Sequence, residues 1–350
     1  MFLISERKTT EDFHLIRKYC ICGLWVYYFS IKTTYVHCDV YHYEYLLLKI
    51  TTKEQYFIFT GFTSTQQSPN IDFTKVKLSR NADIKVKSAT DRRWCITTDL
   101  AVLPGDLLLL ADNNNQSVKL ADPASGQLLD QLQLPGSPHG LCLLPRDRAA
   151  VTIPGKSTIQ TFSVTMKKLS LQDVINVNGE CYGINYVNDY FVVGFNKPAR
   201  LALIDKKGKI YKSITTDSIN HTLFKQPHYI CVTTENTSKV IYVSDRCTST
   251  ITRLSEEMQV LQSIRDPALH APCGLASVGG GQLLVVNYGS QYTPSTLSVL
   301  DVTTGQVTPL LGRKENLNGI YCVAVNHTLR TVYVNDWFSQ CDIIRRYTTK

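Results

Sequence analysis

The sequence predicts an all-β chain whose main body is a six-bladed β-propeller with four antiparallel strands per blade. Two observations carry this. A strand–turn–strand phrase recurs: VIYVSDRCTSTITRL at 240–254, TVYVNDWFSQCDIIRRY at 331–347 and LLLADNNNQSVKL at 108–120, with Asp245, Asp336 and Asp112 at matching points. The starts of the first strand of successive units, Asp99, Gly140, Gly183, His228, Gly274 and Gly319, are spaced 41, 43, 45, 46 and 45 residues apart. A unit of that length holds four short strands, which is the size of a propeller blade. It cannot bury its own apolar face alone, so it must stack on copies of itself.

Residues 1–70 read differently from the rest and form an aromatic, Cys-rich segment of unassigned structure; 71–350 is the propeller. YCICGLWVYYFSI at 19–31 is the most apolar run. A membrane-spanning helix needs about 20 apolar residues, so this run is too short, and no small-residue cleavage site follows it. Cys20, Cys22, His37, Cys38 and His42 match no zinc spacing. The segment GFTSTQQSPN at 61–70 has linker composition.

From 83 onward each blade is legible in order. First strands are LAVL, LCLL, INYV, YICV, LASV and IYCV. Polar turns follow, such as Pro104-Gly105-Asp106. Second strands are continuous apolar runs, LLLLA, AAVTI, YFVVGF, VIYVS, LLVVN and TVYVN, the signature of strands covered on both faces. Third strands are SVKLAD, STIQTFS, ARLALID, TITRLS, TLSVLD and DIIRRY. Fourth strands include QLLDQLQL, KIYKSI and QVTPLL. The sixth unit ends after its third strand. DIKVKS at 83–88 can supply the missing fourth strand and close the ring, removing an exposed sheet edge.

The apolar strand–Asp–polar loop–apolar strand pattern, with openings P-H-G at 138–140 and P-C-G at 272–274, resembles the NHL repeat. The run CITTDLAVLPGDLLLLADNNNQSVKL at 95–120 is similar to the start of the propeller of tripartite-motif (TRIM-NHL) proteins, particularly divergent invertebrate ones. The resemblance covers roughly residues 75–350. It implies the recognition part of a ubiquitin-ligase family member acting in the cytoplasm. The RING, B-box and coiled coil that the family carries have no matching residues in 1–82.

Composition sets broad limits. A net charge of +8 on 350 residues is mild and spread along the chain, so an anionic partner is allowed and not required. Eleven cysteines, irregularly spaced, read as buried free thiols in a reducing compartment and not as a disulfide framework.

In a four-stranded blade the loops between strands two and three, and from strand four to the next blade, share one face of the disc. That face is the expected partner surface. Its candidate partner-binding residues are His139, Lys197, Arg200, His228, Arg246, Tyr288, Tyr292, Trp337 and Phe338. Asp112, Asp245 and Asp336 are expected to accept turn N–H groups. His139 and His228, each after or near a Pro, can cap strand starts. Trp337 and Phe338 either pack on a neighbour or are offered to a partner. Lys206, Lys207 and Lys209 fall on the opposite face.

The function expected is a non-catalytic, monomeric binding scaffold for a protein, with RNA as a second partner class. DNA, a membrane, a metal and a cofactor are not expected. The alternative is a metal-dependent enzyme resembling the gluconolactonase or amidating-lyase propellers. Its ring of strand-start positions would be Thr98, His139, Tyr182, Pro227, Cys273 and Asn318, with Glu180 and His228 nearby. One His and no carboxylate in that ring is a poor metal set.

Overall fold

The computed structural model describes side chains over 71–289, 293–317, 319–337 and 341–349. Earlier in the chain it describes the backbone of four strands. These are β1 (Phe13–Ile21), β2 (Leu24–Ile31), β3 (Leu47–Ile50) and β4 (Tyr56–Gly61), forming one antiparallel sheet in the order β1-β2-β4-β3. The apolar run at 19–31 falls across β1 and β2. Among the described residues no helix is long and apolar enough to cross a membrane. Cys22, His37, Cys38 and His42 lie outside the described residues. Residues 1–69 and 70–350 are two compact units.

The second unit is a ring of six four-stranded antiparallel blades. Blade one is β7 (Thr97–Val102), β8 (Leu108–Asp112), β9 (Ser117–Asp122) and β10 (Gln127–Gln133). Blade two is β11 (Leu141–Leu144), β12 (Arg148–Ile153), β13 (Thr158–Thr165) and β14 (Lys168–Asn176). Blade three is β15 (Cys181–Val187), β16 (Tyr190–Asn196), β17 (Ala199–Ile204) and β18 (Ile210–Ile214). Blade four is β19 (Pro227–Glu235), β20 (Ser238–Asp245), β21 (Thr250–Ser255) and β22 (Val260–Ile264). Blade five is β23 (Pro272–Gly279), β24 (Gln282–Asn287), β25 (Thr296–Asp301) and β26 (Val307–Leu311). Blade six is β27 (Val323–Asn326), β28 (Thr331–Asn335) and β29 (Ile343–Thr349).

The ring closes as the sequence suggests, with one refinement. β29 pairs with two short strands from before blade one, β5 (Leu78–Arg80) and β6 (Ile84–Lys85). Tyr347 faces Arg80 and Ile344 faces Ile84. The closing strand therefore begins upstream of the expected 83–88. It breaks at 81–83, where Arg80 folds onto Asp83 at 2.7 Å. Blade six carries a second refinement. The first strand expected at 320–323 starts only at Val323, because the N–H groups of Tyr321 and Cys322 both donate to the Asn335 side-chain oxygen, at 2.7 and 3.0 Å.

The second strands explain the packing. All five residues of β8 are buried. Leu108 and Leu110 join the cluster shared with blade six, while Leu109 and Ala111 join the cluster shared with blade two. Each second strand is thus an inner layer between two blades, so its apolar run is continuous where a half-buried strand would alternate.

Glycines set the spacing of the inner ring. A Cβ on Gly140 would lie 2.5 Å from the Tyr182 carbonyl oxygen, and one on Gly274 would lie 2.7 Å from the Cys322 Cα. The first strands approach backbone to backbone there, and no side chain fits.

Candidate functional site

The channel mouth on the loop face is lined by aromatic and imidazole rings from five blades. The floor is buried: His139 is 6% exposed, His228 7%, Tyr229 4% and Tyr321 4%. The rim is half-buried: Tyr182, Asn196, Arg246, Tyr288 and Trp337.

His139 lies on the connection from β10 of blade one to β11 of blade two. Its N–H donates to the Thr152 carbonyl at 2.9 Å, and its carbonyl accepts from Thr98 Oγ1 at 2.8 Å. Its ring centroid lies 5.0 Å from Tyr182, 5.3 Å from His228, 5.6 Å from Tyr229 and 6.2 Å from Tyr321. Its Nδ1 is buried and has no hydrogen-bond partner. Burial, with the neighbouring His228 adding to it, holds the ring well below the usual imidazole range.

His228 stacks on Tyr182 at 4.8 Å with 14° between the planes. Its Nε2 is 2.9 Å from the Asn196 amide nitrogen and its Nδ1 is 3.3 Å from the Tyr321 hydroxyl. Burial first, then the charge of Arg246, lowers it to about 4. At neutral pH both floor histidines are uncharged.

Arg246 follows β20 directly. Its guanidinium carbon lies 4.4 Å from the Tyr288 ring centroid. Burial pushes the Tyr321 phenol up, and the nearby Arg246 partly offsets it. Tyr288 and Trp337 both pack edge-on to Tyr321, at 5.6 and 5.0 Å, and to each other at 6.2 Å. Trp337 thus packs on neighbours while its half-buried position keeps it at the rim.

The structure therefore brings together five of the sequence-derived candidates: His139, His228, Arg246, Tyr288 and Trp337. It does not bring Lys197 or Arg200 to them. Lys197 is exposed in the two-residue link between β16 and β17. Arg200 is 8% exposed; its guanidinium stacks on Phe195 at 4.1 Å and donates to the carbonyls of Asn178 and Pro198. It is spent within its own blade. Tyr292 and Phe338 lie outside the described residues, as does Asn318 of the strand-start ring.

Sequence reasoning missed Tyr229 and Tyr321, which read as ordinary members of apolar first strands, and Asn196. Tyr182 was visible only as a strand-start position. Glu180 reaches the same mouth through the Tyr182 hydroxyl; burial first, then the Glu180 charge, raises that phenol.

Among the described residues one group has metal-ligand spacing, Asp91, Cys95 and Asp112. The Lys119 ammonium already sits inside it, 2.6 Å from Asp91, 2.7 Å from Asp112 and 3.1 Å from the Cys95 sulfur, with the Val86 carbonyl at 3.0 Å. Burial works against this ammonium, but Asp112 and Asp91 outweigh it and hold Lys119 up at about 12. The group is an internal ion cluster in which a protein cation takes the place of a metal.

No protein-family model matches the chain, and no curated protein matches it. Solved structures do resemble it. A streptogramin B lyase superposes with a TM-score of 0.56 at 12% identity, covering 78% of this chain and 98% of that one. Hydrazine synthase from Kuenenia stuttgartiensis gives 0.51 at 13%, covering 71% and 76%. The β-propeller domain of Cps50 (Swd1) from Myceliophteria thermophila gives 0.50 at 13%, covering 73% and 84%. At these identities the likeness establishes a propeller fold, shared by enzymes and by a propeller domain of another kind, and nothing finer.

Proposed function

We propose that the propeller is a non-catalytic binding scaffold that holds a protein partner on its loop face, centred on Arg246, Tyr288 and Trp337. The observation that supports this most is the arginine–tyrosine–tryptophan rim itself. Those residue types, half-exposed around a buried aromatic floor, match the composition of energetic centres in protein interfaces. The resemblance of the repeats to TRIM-NHL propellers adds that the chain serves as the substrate-recognition part of such a ubiquitin-ligase family member, acting in the cytoplasm.

Affinity capture with wild type, Trp337→Ala and Arg246→Ala tests the reading, each with and without nuclease. Loss of a protein from the captured set in both variants supports it. An unchanged set overturns the choice of face, and a nuclease-sensitive set moves the reading to RNA.

A second reading is a metal-dependent enzyme of the gluconolactonase or amidating-lyase kind. The pair of neutral imidazoles at 5.3 Å favours it, with Glu180 at the same mouth. Metal analysis of the purified protein separates the two: stoichiometric zinc or calcium, lost in His228→Gln, would replace the scaffold reading.

A further inference from the structure

The cation at the mouth differs from other buried or half-buried cations in its pairing. Lys119, Arg253 and Arg345 each have a carboxylate partner, respectively Asp91 with Asp112, Glu235, and Asp336. Arg246 has none among the described residues. Its chain neighbour Asp245 is fully buried and spends both oxygens on backbone N–H groups, those of Lys225 and Gln226 at 2.6 and 2.8 Å and of Cys247 and Thr248 at 3.0 Å each. Arg246 lies over the Tyr288 ring, its guanidinium carbon 4.4 Å from the ring centroid. Its guanidinium donates no hydrogen bond among the described residues, so the five-donor fork stays open. The floor adds an unsatisfied polar atom, His139 Nδ1, in a residue 6% exposed.

A half-buried cation with open donors, flanked by aromatic faces, has a definite complement. The complement is a monoanion, because one guanidinium without a carboxylate partner, beside two uncharged imidazoles and with Glu180 at the same mouth, cannot offset a phosphate dianion. It is planar and apolar beside the charge, because Tyr288, Tyr321 and Trp337 form the adjoining wall. We propose that the channel mouth is a pocket for an aromatic carboxylate, with the carboxylate forked onto Arg246 and the ring lying against Tyr288 and Trp337. The same chemistry comes from two sources, a free aromatic acid or an aromatic residue at the C-terminus of a polypeptide. This rests on the loop-face reading and names what that face recognises.

Calorimetric titration of the full chain tests it with two matched pairs of probes. Indole-3-acetate is compared with neutral indole-3-acetamide, and a hexapeptide ending in Phe with a free carboxylate is compared with its amidated form. At least one acid is expected to bind about ten- to a hundredfold more tightly than its amide, the range of a charge-assisted hydrogen bond. Arg246→Gln should remove that difference, and Arg246→Lys should restore only part of it, since it keeps the charge and loses the fork. The tighter of the two acids identifies the source. The proposal is overturned if neither acid binds, if acid and amide bind alike, or if the folded Arg246→Gln protein keeps the preference. The two readings fail separately: a captured partner that depends on Trp337 but not on Arg246 sinks this proposal and leaves the loop-face reading in place.

Discussion

Lys119 and Arg345 occupy one structural position in two blades. Each lies opposite the residue two before a strand-ending Asp: Lys119 faces Leu110 and Arg345 faces Val334. Each buries its charge against that Asp, Asp112 or Asp336. In blade four the position is Thr252, facing Val243, and Asp245 bonds to backbone N–H groups alone. Removing one member of such a buried pair leaves a charge without a partner. Lys119→Met should therefore lower stability by about 3–5 kcal/mol, read from urea unfolding. A loss below about 1 kcal/mol would mean that Asp91 and Asp112 relax to solvent. The turn role of Asp245 was legible in the sequence. The ion pairs of Asp112 and Asp336 were not, because their partners sit on the next strand at positions that other blades fill with neutral residues.

Two kinds of buried titrating group pull in opposite directions with pH. His139 and His228 have folded values below their unfolded ones, owing first to burial. Their contribution is complete above about 6.5 and is lost as pH falls below that, for His228 through about 4. Asp99 is the reverse: burial, opposed by the N–H groups of Leu141 and Leu100, raises it to about 7. Its contribution is complete below the unfolded carboxylate value and is lost as pH rises through 7. Between pH 4 and 6.5 the two slopes oppose each other in the wild type. Asp99→Asn should remove the falling one, so its melting temperature should climb more steeply with pH over that range than the wild type's. Parallel curves would show that Asp99 titrates normally.

At the scale of the element, the strand-start glycines carry the ring's geometry. Gly140 and Gly274 stand where adjacent first strands touch backbone to backbone. Gly274→Ala should cost about 1–3 kcal/mol, the usual range for overpacking, whereas Gly155→Ala, where nothing lies within 4 Å of a Cβ, should be nearly neutral. Thermal melts of the two variants check this. The strands themselves were legible almost throughout. Second strands announce double-sided burial by unbroken apolar runs, and turns announce themselves by Gly, Asp and Asn. Of the channel floor, the two histidines were legible and the two tyrosines were not. Tyr229 and Tyr321 stand 92 residues apart, and no local periodicity reports that both point to one axis. Arg200 misled for the related reason that a basic residue at the start of a strand reads as available to a partner until its neighbours are known.

At the scale of the whole molecule, six blades close into one ring because β5 and β6 complete blade six. Ile84, 1% exposed, belongs to the same apolar cluster as Leu108, Leu284 and Val334, from blades one, five and six. Ile84→Ala should cost about 2–5 kcal/mol, and limited proteolysis should then cut between blades one and six first. Protection everywhere except at 78–88 would show that the ring stays shut without its clasp.

That clasp also sets the order of events during synthesis. β29 leaves the ribosome after every other blade strand, yet it is the strand that β5 and β6 have been waiting to meet. Until it arrives, Leu108 and Leu110 of blade one lack the blade-six residues that cover them, the kind of transient exposure that favours aggregation. A stop codon ahead of Ile343 would therefore not trim one edge. It would leave a nascent chain with both its first and its last blade open, and quality control would see the whole propeller as unfinished.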